Sequence, residues 1–287
     1  MKKKTIIFSV GGLLIVVLAA LFGPLLSPYS YETVSDVQFA SPSFSHWLGT
    51  DIHGRDLLTR ILYGARISLL VGFIGAGVSL VIGVVYGIVS GYCGGKIDAF
   101  MMRVVDILYS LPRIIIVIAC IALLDEAAKN WLHNHQFKYL IQSSRIIILF
   151  VAIGMIEWLT MARIVRGQVL VLRERAFIHA SQALGQSAWR IMFQHLLPNL
   201  SGVILVYLTL TIPAVILEES FLSFLGLGVQ APQASWGTQL ADGATFINPL
   251  KTYWWLLLAP ASFMAFTLLC LNFLGDSLRD LFDPRSL

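Results

Sequence analysis

The chain has 287 residues, of which 57% are hydrophobic and 13% are charged, and its mean hydropathy is +0.79. Soluble domains carry about 25% charged residues, so this composition excludes an ordinary soluble domain and indicates a polytopic membrane protein. The formal net charge of +4 is therefore not interpreted as a nucleic-acid-binding surface. The three cysteines lack metal-binding or redox spacing and are expected to pack as small apolar residues.

The N-terminal segment combines three lysines at positions 2–4 with an apolar run over residues 5–26. A secretory signal also begins this way, but the run is long enough to span a bilayer and has no small-x-small cleavage site before Pro24. We therefore predict a retained first span with its N-terminus inside. Residues 27–65 are polar and rich in turn formers, and predict an extracytoplasmic segment.

The second predicted span, residues 67–90, carries a stripe of small side chains at every fourth position. In lipid, such a stripe lets two helices approach closely and gain van der Waals contact. The helix-packing face predicted in this way consists of Gly75, Ser79, Gly83, Gly87 and Gly91.

Two further spans are predicted over residues 100–124 and 145–164. Pro112 lies inside the first and predicts a kink, since membrane helices tolerate proline where other groups satisfy the freed carbonyl. The polar stretch 125–144 between them is interpreted as a local insertion, and its two histidines have too few neighbouring ligands for a metal site. Glu157 lies inside the second span; it is either functional or solvated near the inner interface, and the sequence leaves both open.

A polar, basic stretch at residues 173–199 is patterned like structure and not like a linker. Four residues at helical spacing form a small apolar face, namely Phe177, Ala180, Ala183 and Leu184. Gly185 then ends this helix, and an amphipathic turn over residues 189–193 leads to Pro198, which suits the first turn of the next helix. The prediction is a short helix, a glycine corner and a second short helix between two spans.

The last two spans are predicted over residues 200–217 and 253–274. Six spans with the N-terminus inside place both termini and the 173–199 stretch in the cytoplasm. Thirteen of the 20 lysines and arginines then lie on the inner side and seven on the outer side. This asymmetry favours the predicted orientation.

Residues 46–69 closely resemble a motif of the dipeptide and oligopeptide permeases of ABC importers. In the chain, the aspartates and arginines of this block can pair with one another, and its glycines allow tight turns. The matching residues are Leu48, Gly49, Thr50, Asp51, Gly54, Arg55, Asp56, Leu58, Arg60, Gly64, Ala65, Arg66, Ser68 and Leu69.

The 173–199 stretch resembles the Glu-Ala-Ala loop by which ABC-transporter permeases contact their ATPases. His179, Ala180 and Ser181 occupy the Glu-Ala-Ala positions, so two of the three depart from the pattern. Further blocks at residues 94–112, 162–170, 218–237 and 272–285 also resemble the family, with Glu218 matched to the acid that precedes the SFLGLG run. The ATPase-coupling residues that the resemblance implies are His179, Ala180, Ser181, Ala183, Leu184, Gly185, Leu197 and Pro198.

The resemblance implies an all-α polytopic membrane protein with six transmembrane helices and the MetI-like ABC importer permease fold. It divides the chain into residues 1–65, the first transmembrane helix and extracytoplasmic segment, and residues 66–287, the permease domain with a cytoplasmic coupling loop at 167–199. The implied function is import of dipeptides or oligopeptides across the bacterial cytoplasmic membrane. The implied partners are a second related permease, two ATP-binding subunits that hold ATP and Mg²⁺, and an extracytoplasmic solute-binding protein.

The sequence itself contains no G-x-x-x-x-G-K-[ST] pattern, so this chain cannot hydrolyse ATP by that route and is expected to be a non-catalytic subunit without a cofactor of its own. The G-x-S-x-G and H-E-x-x-H patterns of hydrolases are also missing. An ion-coupled secondary transporter or a channel remains the alternative, although no internal repeat is visible. Relatives that carry nickel or antimicrobial peptides also stay open.

Overall fold

The computed structural model describes residues 2–134, 141–231, 233–248 and 251–282. These residues form helices joined by short connections and one antiparallel two-stranded ribbon. In chain order the elements are α1 (Lys2–Leu26), α2 (Leu57–Cys93), α3 (Gly95–Ser110), α4 (Arg113–Asn134), α5 (Ile141–Leu172), α6 (Ala176–Ala183), α7 (Ala188–Arg190), a π turn (Ile191–Leu196), α8 (Leu197–Phe224), α9 (Trp236–Thr245), β1 (Ile247–Asn248), β2 (Lys251–Thr252) and α10 (Trp254–Phe282).

Five helical stretches are long and apolar enough to cross a membrane: Lys4–Leu26, Leu57–Cys93, Ile147–Leu172, Ala188–Phe224 and Trp254–Phe282. A sixth span results if Gly95–Ser110 and Arg113–Leu124 are counted together, although the two are bent by 93°. The predicted all-α membrane architecture is therefore confirmed, with five spans and a bent pair of helices where the third of the six spans was predicted.

The break in the third span lies at Pro112, where only a kink was predicted. Leu111 before it is extended, with φ −87° and ψ 142°, because the proline ring disfavours the helical conformation of the preceding residue. The chain resumes as helix at Arg113 and continues to Asn134. Residues 125–134 of the polar stretch are helical and extend α4, and residues 135–140 lie outside the described part. The interpretation of 125–144 as a local insertion stays a prediction.

Helix α2 begins at Leu57, so residues 57–65, at the end of the segment rich in turn formers, are helical. Asp56 caps the helix, since its carboxylate accepts hydrogen bonds from the Thr59 amide at 2.9 Å and the Thr59 hydroxyl at 2.7 Å. A side-chain oxygen at this position satisfies an amide that the first turn leaves without a partner. This cap starts the helix ten residues before the predicted apolar span.

The small-residue face of α2 lies mainly against α5. A Cβ atom added at Gly83 would lie 2.6 Å from Met161 Cβ, and one added at Gly91 would lie 2.8 Å from Val169 Cβ. Since the residue numbers rise together in these pairs, the two helices run parallel. A Cβ atom added at Gly75 would instead lie 2.8 Å from Cγ1 of Val215 in α8.

The parallel packing brings the C-terminal ends of α2 and α5 to one end of the helix bundle. Helix α6 follows directly after α5 and lies at that same end. Helix α8 runs back, since Gly72 near the start of α2 contacts Ile212 and Ile216 near the end of α8. The connection between α5 and α8 is therefore a structured cap on one end of the bundle.

Candidate functional site

Helix α6 is held against the bundle by one face and exposes the other. The Ile178 side chain is fully buried with Val84 and Ile88 of α2 and Val165 of α5. Ser181 is also buried, and its hydroxyl donates to its own helix at the Phe177 carbonyl, at 2.9 Å. Sequence periodicity missed this anchoring face because it contains only two residues.

The predicted apolar face of α6 points away from the rest of the chain. Leu184 is 81% exposed, and Phe177, Ala180 and Ala183 are exposed beside it, as is His179. The face is therefore apolar, as expected, but it is not packed within this subunit. Exposed apolar surface of this kind at a structured position marks an interaction site.

Gly185 forms the corner after α6 with φ +75°. Its left-handed conformation lets the Gln186 amide donate back to the Ser181 carbonyl at 3.2 Å, which closes the helix end. No atom lies within 4 Å of a Cβ built at this position. Glycine is thus favoured here by backbone conformation and not by lack of space.

The second half of the cap continues into α8. Ile191 and Met192 are buried, whereas Trp189, expected on the same amphipathic turn, is exposed. The Leu197 amide donates to the Met192 carbonyl, five residues back. This π turn accommodates Pro198, whose ring would collide with a carbonyl of a regular helix and which has no amide to donate.

Two ion pairs fasten α3 to α5 next to the cap. Arg166 donates to both carboxylate oxygens of Asp98 at 2.5 Å, and the Ser90 hydroxyl donates to the same carboxylate at 2.5 Å. Arg163 pairs with Asp106 at 2.6 Å. These residues lie in family-like sequence blocks, but their pairing joins positions 57 to 68 residues apart and could not be predicted.

The family-like motif at residues 46–69 forms a compact knot around Asp51. Its carboxylate accepts from Arg55 Nε at 2.7 Å and from the backbone amides of His53 and Arg55, and it lies 3.2 Å from Arg60 NH1. Gly49 and Gly54 adopt φ +81° and +70° within this knot. The expected pairing of aspartate with arginine is present for Asp51.

Other residues of the motif have different partners. Asp56 pairs with His46, with 3.0 Å between Nδ1 and Oδ1, while the Thr50 hydroxyl donates to the Val37 carbonyl at 2.6 Å. Arg66 donates to the Ala20 and Leu21 carbonyls at 2.5 Å each. It therefore interacts with α1 and not with an aspartate, a contact that the sequence did not indicate.

The knot also joins α2 to α9. The Gln239 amide donates to the Arg60 carbonyl at 2.7 Å, and the Arg60 guanidinium lies 3.7 Å from the Asp242 carboxylate. Burial raises the pKa of Asp242 above its usual range, and the neighbouring Arg60 opposes that shift. The motif thus ties the N-terminal end of α2 to α9, the short helix that precedes the last span.

The two adjacent glutamates at the end of α8 have different environments. Glu219 is completely buried and accepts from the Ser223 hydroxyl at 2.6 Å, with Ser220 and Ser68 at 3.4 and 3.5 Å. Leu222 follows Glu219 at the spacing of the family's E-x-x-L pattern. Matching Glu218 to this acid was therefore wrong by one position.

Glu218 instead belongs to a charge cluster within the spans. Arg113, which is 43% exposed, contacts Glu157 through its NH2 atom, and its NH1 atom lies 3.5 Å from Glu218 Oε1. Glu157 is buried, so it is paired inside the bundle and is not solvated at an interface. Arg113 and Glu218 line a cleft of about 490 Å³ between the broken span and α8.

Comparison with known proteins identifies the group to which these features belong. The family model for the binding-protein-dependent transport system inner membrane component matches residues 83–287, and that for the N-terminal transmembrane domain of oligopeptide transport permease C matches residues 1–42.

Among relatives, the dipeptide transport system permease protein DppC of Bacillus subtilis is 44% identical, covering 95% of this chain and 79% of its own. The oligopeptide transport system permease protein OppC of Escherichia coli K12 is 45% identical, covering 96% of this chain and 87% of its own. The oligopeptide transport system permease protein OppC of Haemophilus influenzae is 42% identical, covering 99% of this chain and 86% of its own.

A solved structure of the MetNI methionine ABC transporter in an inward-facing conformation has the same fold as this chain. The TM-score is 0.57 at 17% sequence identity, and the match covers 78% of this chain and 96% of the other. At this identity, the likeness concerns the fold alone. It agrees with the predicted MetI-like permease architecture.

Proposed function

The chain belongs to the family of binding-protein-dependent transport system inner membrane components, and from this premise we propose that it is a permease subunit of an ATP-driven importer of dipeptides or oligopeptides. Relatives with 41–45% identity are dipeptide or oligopeptide permeases, which supports the peptide substrate. Membership makes this chain a non-catalytic membrane subunit. ATP and Mg²⁺ are then bound by separate partner subunits.

The observation that carries the proposal is the outward face of α6. Phe177, Ala180, Ala183 and Leu184 form an exposed apolar patch that is held rigidly from behind by Ile178. Small side chains let a helix enter a groove, and the groove proposed here lies on an ATP-binding subunit. His179 on this face replaces the usual glutamate and gives the contact a different charge.

Movement of α6 would reach the spans through the contacts behind it. Ile178 connects the helix to α2 and α5, and Arg173 donates to the Gly91 carbonyl at 3.0 Å. The Arg166–Asp98 ion pair extends the same connection to α3. Because packed interiors transmit displacement and do not absorb it, closure of the ATP-binding subunits would tilt these spans as one body.

The two ends of the helix bundle suggest where the remaining partners bind. We place the termini and the coupling loop 167–199 in the cytoplasm of a bacterial cell, and the knot around Asp51 on the outer face of the inner membrane, where a solute-binding protein delivers peptide. In the proposed division, residues 1–65 contain the first span, the outer segment and the first turns of α2, and residues 66–287 form the permease domain. A second, related permease completes the pathway.

An ion-coupled secondary transporter is not favoured. Such folds carry paired broken helices in two repeats, whereas the described residues contain one bent pair, at Pro112. The relatives reported above are peptide permeases and give no support to nickel as substrate.

Reconstitution of the chain with the proposed partner subunits in proteoliposomes tests the proposal. We expect uptake of labelled peptide that requires ATP and that persists when an ionophore collapses the ion gradients. Uptake that an ionophore abolishes while ATP is present would contradict it. A parallel sample with ADP in place of ATP serves as the control for passive binding.

A further inference from the structure

The break in the third span presents a single arginine to an open cleft. Arg113 is the first residue of α4, directly after Leu111 and Pro112, and its side chain is 43% exposed. The break therefore places a cation on the wall of a cleft within the spans, where charged groups are costly and are by default functional.

The cluster around this arginine has more acid than base. Glu157 of α5 and Glu218 of α8 both face the Arg113 guanidinium. The two ion pairs between α3 and α5, Asp98 with Arg166 and Asp106 with Arg163, contain one acid for each arginine. The cluster thus has a formal charge of −1 when all three groups are ionised.

The excess acid is on the cleft side. Glu157 is nearly buried, with 7% of its side chain exposed, and contacts the guanidinium directly, whereas Glu218 is 23% exposed and lies 3.5 Å from it. The Glu218 Oε2 atom is buried and has no hydrogen-bond partner. Glu218 is therefore the carboxylate that lacks a full complement of partners, since Arg113 is already held by Glu157.

The rest of the cleft is apolar. Its volume of about 490 Å³ falls within the range of small-molecule sites, about 300 to 1,000 Å³. Beside Arg113 and Glu218, its wall consists of Pro112, Ile114, Val117, Leu217, Phe221 and Leu222. One cation, one under-partnered anion and an apolar wall are complementary to a short zwitterionic peptide.

Resting on the proposed function, we propose that this cleft is a substrate-contact site for the free termini of a short peptide. Arg113 donates to the terminal carboxylate with the guanidinium N–H groups that Glu157 leaves available, and Glu218 accepts from the terminal ammonium. Glu157 is a positioning residue that holds the guanidinium. A bare inorganic cation would neutralise Glu218 but would leave the apolar wall unused.

The test measures protection of a cysteine at the cleft by defined peptides. In the purified permease–ATPase complex, Cys93, Cys120 and Cys270 are replaced by alanine and the exposed cleft residue Leu217 is replaced by cysteine. Maleimide alkylation is followed with alanyl-phenylalanine, its C-terminal amide and its N-acetyl form. We expect half-protection at about tenfold lower concentration for the free dipeptide, because each cap removes one charge-assisted contact.

Two variants test which residue binds which end of the peptide. Arg113→Gln should abolish the preference for the free dipeptide over the amide, and Glu218→Gln should abolish the preference over the N-acetyl form. Asp106→Asn, which removes an exposed ion pair outside the cleft, should retain both preferences. If Arg113→Gln fails to assemble, Arg113→Lys keeps the charge and should retain a reduced preference over the amide.

Equal protection by the three peptides, or preferences that survive both glutamine variants, would overturn the inference. Protection by sodium chloride but not by choline chloride would overturn it in favour of a cation site. ATP-driven uptake of the same dipeptide by the wild-type importer is measured in parallel. Normal uptake without differential protection contradicts only this site, whereas loss of ATP-driven uptake contradicts the proposed function.

Discussion

Arg166 of α5 donates two hydrogen bonds to Asp98 of α3, both 2.5 Å long. The Asp98 side chain is nearly buried and also accepts from Ser90 of α2, so this one carboxylate joins three helices at the end of the bundle that carries α6. If the coupling loop moves the spans as a unit, this junction must remain intact during transport.

Loss of this junction should therefore reduce stability. Arg166→Gln leaves the buried Asp98 carboxylate without its cation, and we expect a destabilisation of about 1–3 kcal/mol, measured by thermal unfolding of the purified protein in detergent. Arg163→Gln is the matched control: its partner Asp106 is exposed, so its cost should stay below about 1 kcal/mol. Equal losses in the two variants would contradict a special role of the Asp98 junction.

The contact between α2 and α5 should depend on the absence of side chains on α2. A Cβ at Gly87 would lie 2.6 Å from the Ala162 carbonyl oxygen, whereas no atom lies within 4 Å of a Cβ at Gly77 on the same helix. We expect Gly87→Ile to destabilise the protein by about 1–3 kcal/mol through overpacking. Gly77→Ile should have little effect, and a similar loss at both positions would argue against close α2–α5 packing.

The corner at Gly185 should be required for coupling and not for membrane insertion. Because φ is +75° and the surrounding space is open, Gly185→Val strains only the backbone, whereas Gly185→Asn is better tolerated. We expect the amount of peptide transported per ATP hydrolysed to be highest in the wild type, lower in Gly185→Asn and lowest in Gly185→Val. Gly167→Val, at an open helical position, is the control. A valine variant with normal coupling would show that the corner is dispensable.

Topology can be tested with single cysteines at the exposed positions Ser41 and Ser187, in a background in which the exposed Cys93 is alanine. An impermeant maleimide should label position 41 only from outside and position 187 only from the cytoplasm. Labelling of both from one side would rule out the proposed orientation.

Much of this architecture could be predicted because it depends on short stretches of sequence. Apolar runs indicate the spans, and a glycine between two amphipathic turns predicts the corner that φ +75° at Gly185 provides. The N-cap of α2 is also visible in a short stretch of sequence, since Asp56 directly precedes the helix and its carboxylate accepts from the Thr59 amide three residues later. It was missed because the boundary was inferred from hydropathy alone.

The charge cluster could not be predicted from local patterns. Glu157 was identified as unusual, but its partners depend on a 93° break and on a helix that lies far along the chain. Helical spacing likewise identified the apolar residues of α6 without showing that Ile178 holds the helix while Leu184 faces outward. Which side of a short helix is packed is decided by tertiary structure.

If the outward face of α6 transmits the work of ATP hydrolysis, a charge at Leu184, which is 81% exposed on that face, should block transport. Leu184→Asp adds a charge to the apolar patch without disturbing the packed side. Ser187→Asp adds the same charge three residues away and keeps a residue that caps the next helix. The measurement is ATP-driven peptide uptake by the reconstituted importer at matched levels of membrane-inserted protein. We predict near-normal uptake for Ser187→Asp and loss of uptake for Leu184→Asp; wild-type uptake by Leu184→Asp would contradict the account.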